Sequence, residues 1–276
     1  MSDMRRLALH IAYQGTDFCG YNMQPGLRSV QLCLKEALQK LLGHTPTLIC
    51  AGRTDAGVHA YAQLVHFDTE HSIPYERLAP ALNRILPKDI LALQAWELPP
   101  EFNARFSALH RHYRYVLQVG QPANPMLRHH VWQCPYELNF ELFKQAWMSL
   151  LGHHHFKAFC ASGSYRTQFD ISVYWTHAWQ YESLWVFEII GQSFLKNMVR
   201  ALIGTMSDIA RGHLPIDNLQ QALQTGDRQF IGTTAPPQGL YLFNVVYPAQ
   251  YHLDLIQKNI HNWPVPAVDP NLKNHF

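Results

Sequence analysis

The chain has 276 residues, of which 47% are hydrophobic and 15% charged, with a formal net charge of +2. That length supports one large domain or two coupled halves around a sizeable core. The near-neutral charge excludes a globally basic nucleic-acid protein, so any basic patch must be local. No run of 18 apolar residues occurs, which argues against a membrane helix. The five Cys (19, 33, 50, 134, 160) contain no C-x-x-C pair. That fits a reducing compartment rather than a disulfide scaffold, and a soluble cytoplasmic protein is expected.

In chain order, Leu7, Leu9, Ile11 and Tyr13 share one parity, which predicts a first strand over 5–15. A Pro-Gly break follows, and Ser29 caps a helix running to about Leu42 with Gly43 as its stop. A short strand at 47–51 leads into "AGRTDAGVHA", and a longer strand covers 62–70. A helix is expected over 74–86 despite Pro80, then strands over 89–97 and 110–119. "GQPANPMLRHH" reads as a crossover, after which Asn139 caps a helix ending at Gly152. Strands near 171–181 and 184–191 precede the clearest helix, 193–212, on which Lys196 and Arg200 share a face. A short helix at 216–225 and a closing strand in "GLYLFNVVYP" complete the body, and 249–276 has no firm structure. The pattern is α+β, divided as 1–120, 121–248 and a tail at 249–276.

In residues 51–60, Gly52 and Gly57 bracket Arg53, Thr54 and Asp55. Asp55 before Ala56-Gly57 suits an Asx-type turn, which needs no chemistry at all. The functional alternative is a displayed carboxylate kept ionised by Arg53, able to act as nucleophile or base. Glycosidic chemistry of the two-step kind needs a second carboxylate; none lies close in sequence, although Asp68 or Glu101 could approach in space. One carboxylate favours an isomerase or lyase. A second constellation, 101–117, interleaves Arg105, Arg111 and Arg114 with Phe102, Phe106, Tyr113 and Tyr115. Arginine among aromatics suits an RNA surface that binds phosphates and stacks bases; snorkelling Arg on an ordinary strand is the plainer account. The three adjacent His of "GHHHFKAFC" do not converge on one ion, and no H-E-x-x-H, P-loop or G-x-G-x-x-G occurs. No metal and no nucleotide cofactor are expected.

Six segments in order resemble the tRNA pseudouridine synthase A family: "GTDFCGYNMQ", "AGRTDAGVHA" with "HFD", "LPKDI", "FNARFSALHRHYRY", "GQSFLKNMVRALIGT" and "GTTAPPQGLYL". The resemblance implies isomerisation of uridines 38–40 in the tRNA anticodon stem-loop, without metal or organic cofactor, by a homodimer. It implies two similar α/β halves, mainly antiparallel, flanked by helices and meeting at a central basic cleft. Asp55 matches the catalytic aspartate, and Arg53 the arginine that pairs with it and replaces the flipped base. Tyr113 matches the tyrosine stacking on the target base, and Leu240 the apolar residue closing the pocket. Lys196 and Arg200 match the tRNA-contacting helix, with Arg105, Arg111 and Arg114 as further substrate contacts. Tyr21, Asn103, Lys196-Asn197 and His155 depart from the usual Trp, His, Tyr-His and acidic residue. Thr54 and His59 are expected to brace the loop by hydrogen bonds. The competing readings are an inactive RNA-binding protein of the same fold and a two-carboxylate hydrolase.

Overall fold

A computed structural model describes residues 4–161, 163, 166–253 and 255. The described residues fall into two compact units, one within Met1–Arg111 and Tyr241–Leu255, the other within His112–Leu240. In the first unit, β1 (Arg5–Tyr13) lies between β3 (His59–Thr69) and β4 (Ile90–Leu98), antiparallel to both. β2 (Ile49–Cys50) joins β3 antiparallel, and β10 (Leu240–Val246) joins it parallel through Tyr241 and Leu242. Leu7, Leu9, Ile11 and Tyr13 are all buried, as their parity predicts. Helix α1 (Val30–Leu42) is capped by the Ser29 side chain and closed by Gly43 in the left-handed region. Both boundaries follow from the sequence, because Ser accepts from a free amide and Gly alone turns there without a steric penalty. α2 (Tyr75–Leu82) ends sooner than 86, and Asn83 takes its C-terminal cap.

In the second unit, the strands follow the order β5 (His110–Val119), β9 (Leu184–Gly191), β8 (Asp170–Tyr181) and β7 (Gly152–His155). β6 (Trp132–Cys134) pairs parallel with β5. Helices α3 (Phe140–Met148), α4 (Met198–Ala210) and α5 (Asp217–Thr225) accompany them. Strand pairing is mostly antiparallel, and the α+β expectation holds. Among the described residues no helix is long and apolar enough to cross a membrane.

The structure departs from the sequence reading at further places. β10 packs with the first unit from Tyr241 onward, because Leu109 donates to Val246 and Tyr241 pairs with His59. The first unit also stops at Arg111 rather than 120. Gly152 opens strand β7 instead of ending α3, whose cap is Ser149. Helix α4 starts at Met198, since Asn197 sits at φ 63° and cannot continue a right-handed helix. Lys196 therefore lies before the helix and shares no helix face with Arg200. Of the tail, Ala249–Tyr251 forms a 3-10 turn, and 256–276 lie outside the described residues.

Candidate active site

The Asp55 turn is assembled from small residues and neutral polar groups of the first unit. Ala51 donates to Leu64 O at 2.8 Å, continuing the β2–β3 pairing by one residue. The fully buried Gln63 side chain then holds the Gly52 peptide from both sides, accepting from its N–H at 3.3 Å and donating to its carbonyl at 2.5 Å. Val58 donates back to Asp55 O at 3.1 Å, and Gly57 takes φ 78°, which closes the turn. Asp55 is half-buried at its tip, while Arg53 and Ala56 are exposed.

The segment following β1 presses against this turn. Tyr21 donates to Thr54 O at 3.1 Å and Gly57 to Phe18 O at 3.2 Å. Gly20 has φ 108°, and a Cβ there would meet Thr54 O at 2.8 Å; one at Gly15 would meet Val58 O at 2.1 Å. Only glycine permits this approach. Thr54 and His59 brace the loop as expected. The buried Thr54 hydroxyl bonds the Tyr13 hydroxyl at 2.7 Å, and His59 Nδ1 accepts from Gly15 N at 2.9 Å. The His59 ring also stacks on Tyr241 with centroids 4.7 Å apart.

Arg53 makes no ion pair or hydrogen bond with any described residue, so the expected Arg53–Asp55 pair is not formed. Asp68 does not supply a second acid. It sits nine residues along β3 from His59, about 30 Å for an extended strand, and is held by Arg6 Nε and Nη2 at 2.7 Å each. Glu101 lies near the same Arg6. Burial pushes the Cys50 thiol up to about 11, partly opposed by Arg53, so it stays a thiol at neutral pH.

The 103–108 turn carries Arg105 and Phe106 outward. Asn103 shapes it, its side-chain oxygen accepting from Arg105 N at 3.0 Å and Phe106 N at 3.1 Å. Phe106 is 78% exposed, with the Arg105 guanidinium 5.3 Å from its ring centroid. Arg111 turns the other way, toward loop carbonyls: it donates to Ala108 O at 3.2 Å, Ala51 O at 3.1 Å and Arg105 O.

In the second unit, Tyr113 is buried on β5 and meets the Phe194 ring edge-on at 4.9 Å. Arg114 does not stand at the surface. It is 1% exposed, and its Nε and Nη2 donate to Glu188 Oε1 at 3.1 and 2.8 Å. His112 Nε2, two residues earlier on the same strand, lies 3.1 Å from the same oxygen. Burial alone would raise the Glu188 carboxyl, but Arg114 and His112 more than offset this and hold it near 2. Arg114 was expected among the substrate contacts; the structure instead gives it a buried anionic partner 74 residues away.

Leu240 is positioned by a segment laid along α4. A Cβ on Gly204 would meet Thr233 O at 1.8 Å, so the segment crosses the helix directly over that glycine. Arg200 Nε donates to Ala235 O at 2.8 Å, and Ala235 N donates to Arg200 O at 3.0 Å. Tyr115 OH donates to Pro236 O at 2.7 Å, and a Cβ at Gly239 would meet the Tyr115 ring at 2.7 Å. Leu240, 5% exposed, emerges from this clamp. Lys196 is exposed just before α4. Sequence reasoning missed Gln63 and the close-approach glycines, and it grouped Tyr115 with the base-stacking aromatics although it clamps Pro236 and Gly239. Gly15 and Gly20 flanking "TDFC" were the available signal. The three consecutive His rings take separate partners, Ser172, Leu151 O and Asp170, and no metal-binding cluster occurs among the described residues.

These features define an α+β protein that displays one carboxylate on a glycine-shaped turn. The family profile described as tRNA pseudouridine synthase matches residues 10–107 and 146–248. Proteins called tRNA pseudouridine synthase A from Geobacillus sp. (strain WCH70) and Thermoanaerobacter sp. (strain X514) are each 39% identical over 244 residues, which is 88% of this chain and 98% and 100% of theirs. The homologue of the same name from Anoxybacillus flavithermus is 40% identical over 248 residues, 88% of this chain and 99% of its own. The chain belongs to the tRNA pseudouridine synthase family. A solved Cbf5-Nop10-Gar1 complex overlaps at TM-score 0.33 and 9% identity, over 72% of this chain and 53% of that one, too loosely to carry any argument.

Proposed function

We propose that the chain isomerises uridine to pseudouridine at positions 38, 39 and 40 of the tRNA anticodon stem-loop, with Asp55 as the catalytic carboxylate. Family membership supplies the reaction class, an isomerisation of tRNA uridine. The observation that carries the residue assignment is the Asp55 turn, fixed by Gln63, Thr54, His59 and two close-approach glycines. Such fixation is what a reacting group requires, because a displacement of about 1 Å can cost 100-fold in rate.

The reaction breaks the N1–C1′ bond, turns the base and joins C5 to C1′. The C5 proton leaves and N1 gains one, so nothing is oxidised and no cofactor is required. Three routes are open to Asp55: attack at C1′, attack at C6, or removal of the C2′ proton. A uridine must first leave its stack, costing a few kcal/mol. We assign Arg53 to the vacated place in the RNA, which its exposure and lack of a partner among the described residues favour. Tyr113 is assigned to stacking on the base and Leu240 to its apolar cover, while Arg105, Lys196 and Arg200 contact the RNA backbone. A homodimer follows from the resemblance, and five free thiols fit the cytoplasm.

The test uses unmodified tRNA tritiated at uracil C5, with uridine retained singly at 38, 39 or 40. The wild type should release tritium from each, and Asp55→Ala should slow release by about 10⁴-fold. Equal release by the variant would overturn the role of Asp55. Tight tRNA binding without release by the wild type would favour an inactive RNA-binding protein.

A further inference from the structure

Arg111 bridges two loops of the first unit. The "HRHYRY" pattern suggests a phosphate contact, yet its guanidinium serves three backbone carbonyls that belong to two separate loops. Nη1 donates to Ala108 O at 3.2 Å. Nη2 alone carries two bonds, to Arg105 O and, at 3.1 Å, to Ala51 O. Ala51 is the residue from which the Asp55 turn springs, and its own N–H is fixed to Leu64 O. Ala108 and Arg105 belong to the turn that displays Arg105 and Phe106. A buried loop carbonyl left without a partner is costly, and the planar guanidinium offers enough donors, spread over a fixed fork, to serve all three.

The same turn is anchored from below by neutral groups. His66 Nδ1 accepts from Ala104 N at 3.1 Å, and Tyr247 OH donates to Ala104 O at 2.6 Å. Those bonds set its height over the sheet but none reaches the Asp55 turn. Arg111 does, through one nitrogen.

We propose that Arg111 is a positioning residue: it ties the Arg105–Phe106 turn to the root of the Asp55 turn, so that the RNA-facing side chains and the carboxylate keep a fixed spacing. The inference rests on the synthase reading above. A phosphate contact and a strap respond differently to substitution. Lysine at 111 keeps the charge and most of the stem, which a phosphate contact tolerates. Its ammonium stands one bond short of either Nη, so it cannot reach all three carbonyls from the same backbone position.

The experiment takes the full-length Arg111→Lys protein, with Arg111→Ala as the more severe variant. Amide exchange over 104–108 should quicken in both. The single-turnover rate should fall by about tenfold or more, while the slope of log Kd for tRNA against log salt stays at its wild-type value. Three results would overturn the proposal. One is a wild-type rate with a slope reduced by about one, the mark of a lost phosphate contact. Another is faster exchange with an unchanged rate, which would leave Arg111 a structural residue only. The last is wild-type exchange and wild-type rate together in Arg111→Lys. Exchange needs no RNA, so its outcome stands apart from the synthase reading, whose failure would show as no tritium release by the wild type.

Discussion

In the first unit, the side chains that hold the body of the Asp55 turn are neutral, and the charged Arg111 reaches only its root at Ala51 O. Gln63 clamps a peptide, Thr54 bonds a tyrosine, His59 accepts from a backbone amide, and glycines let two loops touch. In the second unit, the strand bearing Tyr113 is held by charge. Arg114 and His112 converge on the Glu188 carboxylate beneath it, Trp179 donates to its Oε2, and Trp147 donates to the Glu188 backbone carbonyl. The difference has a physical logic. Charges buried beside Asp55 would shift its own protonation, whereas an apolar or stacking wall has no titration to disturb.

The contrast breaks most readily at Arg114. Arg114→Met should lower unfolding stability by about 3–5 kcal/mol, because it leaves a buried carboxylate without its main partner. Arg114→Met with Glu188→Met should recover much of that loss, since a paired replacement by apolar side chains is often neutral. Urea unfolding followed by tryptophan fluorescence suits the measurement, as Trp132, Trp147, Trp175, Trp179 and Trp185 all lie in the second unit. A single substitution costing under about 1 kcal/mol would mean that packing, not charge, fixes the strand.

Acid should separate the two units next. Burial lowers His10 and His66, both in the first unit, to about 4. The unfolded chain takes up protons at these residues below pH 6.5, and the folded chain does so only near 4. Stability is therefore lost as pH falls from 6.5 to 4, by up to about 3 kcal/mol for His10. Glu188 has the opposite character. Its folded value near 2 is below the unfolded 4.5, so its contribution is intact above 4.5 and disappears between 4.5 and 2. Between pH 6.5 and 4.5 only the first unit should weaken from these groups. Protection factors for amides on β1 and β3 should fall before those on β8 and β9. The reverse order would contradict the assignment of neutral and charged anchors.

The sequence shows these anchors unequally. β1 and α1 are legible because alternation, a Ser cap and a Gly stop are local signals. Thr54 and His59 are legible as braces because they flank the carboxylate within a few residues. β6 and β7 are not, at three and four residues, with no period to read and, in "GHHH", no apolar alternation. The start of α4 is hidden because "FLKN" has helical composition, and only the left-handed Asn197 halts it. Arg114 and Arg111 mislead for a deeper reason. An arginine among tyrosines reads the same whether it faces RNA, a buried glutamate or three carbonyls. The deciding partner lies 74 residues away for Arg114 and 60 for Arg111, where spacing carries no information.

The smallest expected effect sharpens the neutral side of the comparison. Thr54 is buried, adjoins Asp55 and bonds the Tyr13 hydroxyl at 2.7 Å. Thr54→Val keeps the shape and β-branching while removing that bond, so the stability loss should be only about 1 kcal/mol. Its effect on rate should exceed its effect on binding, because the bond fixes the residue before the carboxylate and touches no RNA-facing group. Thr54→Ser, which keeps the hydroxyl, should restore most of the rate. Single-turnover tritium release and tRNA Kd, measured for both variants, decide the point. If Thr54→Val turns over like the wild type, the backbone clamps of Gln63, Gly15 and Gly20 alone suffice to hold Asp55, and the hydroxyl pair serves only the fold.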